Sequence, residues 1–253
     1  MKDLFSLIGK KALVTGSSRG IGRESALALA AFGADVMVHG SSDSPQLRSA
    51  RDEVRALGRR SECAAEDLGV PGAGRRLFEK TDARFGAPDI VVHNASVEIR
   101  RPWTEISYDE YRLQMDVNLW AGIELFQSAA PAMAAAGWGR IITIGSVQQR
   151  KPHPEMLVYA ASKNALAGVV RGLARQLAGT GVTVNNIAPG AIGTDRTNGV
   201  LADPDYKALI ESQIPLGFVG EPKDCAGVLL LLASEAGRYI SGEDIFVDGL
   251  KNY

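Results

Sequence analysis

Tyr159 and Lys163, in the run YAASK, set a phenol and an amine four residues apart. On a helix those positions share a face, so both side chains would point into one cleft. A free tyrosine has a pKa of about 10, too high for a base near neutral pH. An ammonium about 4 Å away, at an effective dielectric near 20, is worth roughly 4 kcal/mol, enough to lower the phenol by several units. The pair is therefore a candidate proton donor and acceptor. Ser146, 13 residues before the tyrosine, closes an apolar run and could hold an oxygen on which charge develops.

A second cluster sits near the start, in LVTGSSRGIG. Gly16, Gly20 and Gly22 fall where an apolar run passes into a helical pattern. Glycine weakens regular structure, so three together imply that something comes close to the backbone. The N-terminus of a helix offers free N–H groups and partial positive charge, a site for phosphate. The spacing Thr-Gly-x3-Gly-x-Gly differs from the G-x-G-x-x-G of many dinucleotide folds. Structural turns use the same residues, and the position after the first strand is what gives the cluster weight.

These groups need a frame. Short Val/Ile-rich runs predict strands at Lys11–Thr15, Asp35–His39, Ser61–Ala65, Asp89–His93, Arg140–Gly145, Thr183–Ile187 and Asp244–Val247. Helical patterns lie between them, at Gly20–Phe32, Pro45–Leu57, Gly72–Phe85, Tyr108–Ala136, Val158–Ala178 and Pro222–Ser234. The alternation predicts an α/β fold: one Rossmann-type domain over 1–253, a doubly wound parallel seven-stranded sheet with helices on both faces. Right-handed crossovers bring every strand's carboxyl end to one edge, where ligands bind. The polar stretch 191–215, with Asp203-Pro204, is expected to be a mobile substrate-binding lobe.

Composition narrows the class. The chain has 253 residues, 45% hydrophobic, with a net charge of -1, which suits one soluble domain and argues against a nucleic-acid partner. Cys63 and Cys225 are read as reduced thiols of a cytoplasmic protein. The opening MKDLFSLIGKK is too polar for a signal peptide, and Gly227–Ala233 is too short to span a bilayer. No membrane association and no metal are expected.

Further motifs complete a pattern. Asn94-Ala95-Ser96 follows the fourth strand, Asn118 sits in DVNLW, and Pro189-Gly190 closes the sixth strand with Thr194 beyond it. With TGxxxGxG, Ser146 and YxxxK, the chain resembles the short-chain dehydrogenase/reductase family over essentially its whole length. The resemblance implies a hydride transfer between a nicotinamide cofactor and a secondary alcohol or ketone. Tyr159 would be the general acid/base and Ser146 the holder of the substrate oxygen. Lys163 would lower the tyrosine's pKa and hold the nicotinamide ribose, and Asn118 would anchor a proton-relay water. It also implies a cofactor site of Thr15, Gly16, Ser18, Arg19, Gly20, Ile21 and Gly22, then Ser41, Ser42, Asp67 and Leu68. Asn94, Ala95, Tyr159, Lys163, Pro189, Gly190, Ile192 and Thr194 complete that site. Two departures stand out: Ser96 and Leu250 occupy positions where the family usually has glycine.

The cofactor is expected to be NADP. Gly40 stands where an NAD enzyme carries a ribose-binding acid, Ser41 and Ser42 follow, and Arg19 can meet a phosphate. NAD is the alternative, with Asp43 on the ribose. DLFSLIGK and RRPWTEI are similar to sugar-acid dehydrogenases of the family, of the gluconate 5-dehydrogenase kind. They point to a sugar, polyol or sugar acid, with Arg100, Ser146, Gln148 and Tyr159 on the substrate. Arg101, Arg150, Lys151 and His153 would add a cationic rim suited to a carboxylate. A 3-oxoacyl thioester or other ketone is the other substrate class, and a cofactor-sensing regulator the other function. Small residues on the two longest helices (Ala129, Ala130, Ala134, Ala135, Ala165, Ala167) suggest a homotetramer.

Overall fold

Neighbouring residues on each strand serve opposite cores. In β1 (Lys11–Val14), Ala12 and Val14 join one apolar cluster and Leu13 joins the other. The same alternation runs through β2 (Asp35–Gly40), β4 (Ile90–His93) and β5 (Gly139–Ile144). Such strands must be covered on both faces, which is why they read as unbroken apolar runs. The structure, a computed structural model, describes residues 2–252, with only the backbone described at Lys2, Arg196, Asn198 and Val200.

With β3 (Ser61–Ala65), β6 (Val182–Pro189) and β7 (Asp244–Val247), the strands form one parallel sheet in the order β3-β2-β1-β4-β5-β6-β7. Ala12 pairs with Val36 on one side and Ile90 on the other, so the chain reverses direction across the sheet between β1 and β4. Ligands bind at such a switch point. Helices α1 (Gly20–Ala31) and α2 (Pro45–Ala56) cover one face together with the last helix, which ends in Leu229–Ala233. The other face carries α3 (Ala73–Phe85) and the helices that contribute Leu125, Phe126, Leu166 and Val170.

Two segments depart from their expected form. The single helix expected over 108–136 is two, α4 (Tyr108–Met115) and α5 (Ala121–Ala135), joined through a wide π-helical turn at Asp116–Trp120. A turn of this kind changes the backbone hydrogen-bond spacing over a few residues, which residue types do not report. After α6 (Leu157–Gln176) and β6, the stretch 191–215 holds α7 (Asp195–Leu201) and α8 (Pro204–Ser212). Asp203-Pro204 looks like a loop breaker but is a helix start. The Asp203 carboxylate accepts from the Asp205 and Tyr206 amides at 3.0 and 3.3 Å, and proline suits the first helical position. The last helix is α9 (Pro222–Ala233). No helix among the described residues is long and apolar enough to cross a membrane, and no group of possible ligands there could hold a metal ion.

Two histidines that the motifs did not single out fix the strand ends. His39 Nδ1 accepts the Gly16 amide at 3.0 Å, so its Nε2 carries the proton and donates to the Glu66 carbonyl at 2.9 Å. His93 lies between the Thr15 hydroxyl (3.4 Å) and the Asn118 carbonyl (3.3 Å). Thr15 Oγ1 already accepts the Asn94 and Ala95 amides, so its own proton goes to His93 Nδ1. Burial pushes His39 down to about 4; burial, with the Lys163 charge as a second cause, pushes His93 down to about 3.

An unfolded chain takes up both protons near the ordinary value of about 6.5, whereas the folded chain refuses them. Stability is therefore complete above that value and is lost as pH falls toward 4 and 3. Denaturant titrations should show a loss of about 3–4 kcal/mol between pH 7 and 5, and His39→Gln should remove roughly half of that dependence. A profile flat over this range would mean that the imidazoles are not held neutral.

Candidate active site

The glycine turn between β1 and α1 is built by backbone demand. Gly16 and Gly20 have φ of +64° and +57°, a region that costs other residues steric strain. A Cβ on Gly16 would also lie 2.9 Å from Ala95 Cα. Gly22 serves packing instead: a Cβ there would be 2.3 Å from the Gly16 carbonyl oxygen and 2.4 Å from Asn94 Nδ2. Asn94 is the clamp, its amide donating to the carbonyls of both Thr15 and Gly16 at 3.0 Å. Arg19 precedes α1 in extended conformation without a side-chain cap, and no acid occupies the first turn. The helix end thus keeps free donors and partial positive charge toward the cleft, which fits a phosphate.

The other half of the cleft rests on β5, β6 and α6. Lys163 is buried, and its Nζ donates to the Ile144 carbonyl at 2.8 Å, the last residue of β5. It lies 5.7 Å from the centre of the Tyr159 ring, one turn earlier on α6. Ser146 follows β5; its hydroxyl accepts the Gln148 amide at 3.2 Å. Its turn is braced by a buried polar chain: Gln149 Oε1 accepts from Asn186 Nδ2 at 3.1 Å, and Thr143 donates to Asn186 Oδ1 at 2.6 Å. Asn164 Nδ2 donates to the Gln149 carbonyl at 2.9 Å and so ties the turn to α6. None of Gln149, Asn164 or Asn186 carries a motif signal; each is legible only once β5, β6 and α6 are side by side.

One cleft of about 700 Å³ joins the two halves. It is lined by Gly16, Arg19, Ser41 and Asp67 at one end and by Ser146, Tyr159 and Lys163 at the other. Glycines at positive φ, an open helix end and a buried tyrosine–lysine pair thus face one cavity.

A family model described as Enoyl-(Acyl carrier protein) reductase matches residues 16–249. The chain is 38% identical to the 2-dehydro-3-deoxy-D-gluconate 5-dehydrogenase of Pseudoalteromonas atlantica, over 98% of both proteins. It belongs to the short-chain dehydrogenase/reductase family. Among solved structures, the NADP-bound 3-oxoacyl (acyl-carrier-protein) reductase of Agrobacterium tumefaciens matches with a TM-score of 0.95 at 37% identity, over 98% of this chain and 96% of that one. The gluconate 5-dehydrogenase of Burkholderia cenocepacia, in complex with NADP and tartrate, matches with a TM-score of 0.91 at 32% identity, over 98% and 97% of the two chains.

Most positions expected from this short-chain dehydrogenase/reductase pattern line the cleft, but four do not. Thr15 is fully buried and spends its hydroxyl on the turn after β4. Gly22 packs against protein, as above, and Ser42 lies off the cleft wall that Ser41 forms. Asn118 is buried in the π turn, where its Oδ1 accepts the Val97 amide at 2.7 Å and its Nδ2 donates to the Val97 carbonyl and Ser162 Oγ. Its side chain binds β4's loop to the helix of Tyr159 and Lys163, and His93 faces its carbonyl. The side chain therefore positions α6; its amide is engaged by protein instead of projecting into the cleft.

The expected cationic rim also thins out. Arg101 pairs with Glu110 at 2.8 Å, and Arg150 stacks 4.3 Å from the Phe246 ring; Arg100 and His153 line the cleft. Asp43, the alternative ribose partner, is paired with Arg48 at 2.9 Å and lines a separate surface pocket.

Proposed function

We propose that the protein is an NADP-dependent dehydrogenase/reductase acting on the CH–OH group of a sugar acid or related polyol. The observation that supports the chemistry is that Tyr159, Lys163 and Ser146 open on the same cleft as the α1 turn. The bound nicotinamide supplies the hydride acceptor or donor. Tyr159 takes the hydroxyl proton as the alcohol is oxidised and returns it to the carbonyl oxygen in reduction. Ser146 donates to that oxygen as charge develops on it. Lys163, held by the Ile144 carbonyl, would set positive charge beside the phenol and would hold the nicotinamide ribose.

NADP is favoured over NAD at two positions. Gly40 closes β2 without a carboxylate, and Arg19 makes no ion pair with any described residue. Structural relatives from Agrobacterium and Burkholderia carry NADP. For the substrate, the polar cleft wall of Arg100, Gln148, His153 and Tyr206 suits a hydroxylated acid, and one relative holds tartrate. The apolar Leu201 and Ile210 of the lobe favour the second reading, a 3-oxoacyl thioester.

The homotetramer is part of the same proposal, on changed grounds. Ala129, Ala130 and Ala167 are buried within the chain and cannot meet a partner. The exposed small residues of α6 are Ala161, Gly168 and Gly172, flanked by exposed Tyr108, Trp120 and Leu157. These flat faces suit isologous helix pairing. Light scattering at micromolar concentration should give four times the chain mass, and a monomer mass would contradict it.

Tyr159→Phe should lower kcat by at least about 10²-fold while NADPH still binds, as removal of an obligatory proton carrier requires. Near wild-type turnover in a folded variant would remove Tyr159 from the reaction. Arg19→Ala should weaken NADPH about ten-fold and leave NADH unchanged, since one charge-assisted contact at an exposed site is worth about 1.4 kcal/mol. Gly40→Asp should reverse the cofactor preference; an added Cβ meets the Ser42 carbonyl at 3.3 Å, which a small shift accommodates. Equal losses with both cofactors would take Arg19 away from the phosphate.

A further inference from the structure

The C-terminal turn brings to the cleft a cation that the sequence motifs do not indicate. Lys251 lines the same cavity as Tyr159 and Ser146, beside Gln213 at the end of α8. Its Nζ lies 3.5 Å from Gln213 Oε1, and no carboxylate among the described residues pairs with it. The other cations of the cavity are committed or placed elsewhere. Arg100 donates to Glu98 at 3.3 Å and bonds Tyr206, Lys163 donates to Ile144, and Arg19 stands at the α1 turn.

The mount of Lys251 is rigid. Asp248 Oδ1 accepts the Leu250 amide at 3.0 Å and its Oδ2 the Asn252 amide at 2.9 Å. The Leu216 amide, just past α8, donates to the Gly249 carbonyl at 3.3 Å. Asp248 also lies flush against the cofactor wall, since a Cβ on Gly190 would sit 2.7 Å from its Cα. Leu250 has φ of +69°, the one non-glycine residue at positive φ among the described residues. An L-residue there costs about 1–2 kcal/mol and persists where its surroundings over-determine it. The turn therefore holds its backbone at a cost, and the next residue faces the cleft. Burial, and then the Lys151 charge, push the Lys251 pKa down. An anion beside Lys251 would favour its charged form and oppose both effects.

We propose that Lys251, with the Gln213 side chain beside it, receives the carboxylate of the substrate and selects acids over neutral polyols. Arg100, already neutralised by Glu98, shapes the wall. This rests on the sugar-acid reading of the cleft. Lys251 touches substrate away from the reacting carbon, so its loss acts on binding and leaves the chemical step intact.

The test compares gluconate with the neutral polyol sorbitol, using wild type, Lys251→Gln and Lys251→Arg with NADP. Lys251→Gln should raise KM for gluconate by about ten-fold or more, with kcat and all sorbitol constants nearly unchanged. Lys251→Arg should recover most of the gluconate affinity. Losses shared equally by gluconate and sorbitol, or no loss for either, would overturn the assignment. If wild type turns over no sugar acid, the substrate reading fails, and calorimetric titration of the NADP-loaded protein with gluconate decides Lys251 on its own. Binding seen in wild type and lost in Lys251→Gln would support the carboxylate site, and no binding to wild type would overturn it.

Discussion

One side-chain amide holds the place where the sheet reverses its winding. Asn94 donates to the carbonyls of Thr15 and Gly16, the two residues that leave β1. Strand pairing of β1 with β4 ends at Val14 and Val92, so these two carbonyls lie beyond the ladder, where the cleft begins. Buried carbonyls without a donor cost free energy on the order of 1–3 kcal/mol each, so a crevice can exist only if something fills that role. Asn94 does so from β4's side, and Thr15 answers by accepting the Asn94 and Ala95 amides. Gly22 must then be glycine, because the amide occupies the space where its Cβ would stand. The glycine turn, the first turn of α1 and the loop after β4 thus form one hydrogen-bonded block.

The second half of the cleft follows the same rule with different residues. Beyond β5, Lys163 donates to Ile144, Gln149 and Asn186 meet under Ser146, and Asn118 reaches Ser162 on α6. Ser162 in turn donates to the Tyr159 carbonyl at 2.7 Å. Each bond is between buried groups, where geometry is fixed by the lack of water as a competing partner. A phenol and a hydroxyl placed on such supports have little freedom to lose when a ligand arrives, which is where positioning can enter a reaction rate. His93 links the halves through Thr15 and Asn118, and its neutrality matters: a cation there would oppose the Lys163 ammonium.

Legibility in the sequence tracked how local each cause is. Strands buried on both faces announce themselves as apolar runs, and all seven stand within two residues of their expected ends. Tyr159 and Lys163 were readable because a single helix turn sets their spacing. The π turn at Asp116–Trp120 was hidden because it is a change of backbone hydrogen-bond spacing that no residue type in DVNLW marks. The helices of the lobe were hidden because Asp203-Pro204 serves equally as a breaker and as a cap. Asn118 shows the limit most clearly. Its position in DVNLW was legible, but its partners Val97 and Ser162 lie 21 and 44 residues away, and those partners set what its side chain does.

Charge was the least legible property, and the reason is physical. A net charge of -1 describes a sum, whereas a site responds to cations left over after local pairing. Arg101 and Arg150 fall in loops at the strand carboxyl edge, yet one is spent on Glu110 and the other stacks on Phe246. Arg100 reaches the cavity but brings Glu98 with it. Exposed pairs of this kind contribute little to stability, about 0–1 kcal/mol, so folding does not require them. Their effect is instead to remove positive potential from most of the rim. Arg19 beside an uncapped helix and Lys251 next to a strained turn line the cleft without a carboxylate partner among the described residues, and Lys163 lies buried between α6 and β5. An anionic ligand meets these cations and not Arg100 or Arg101, whose charges are spent on Glu98 and Glu110, so the pairing pattern, more than the number of cations, sets where it can bind.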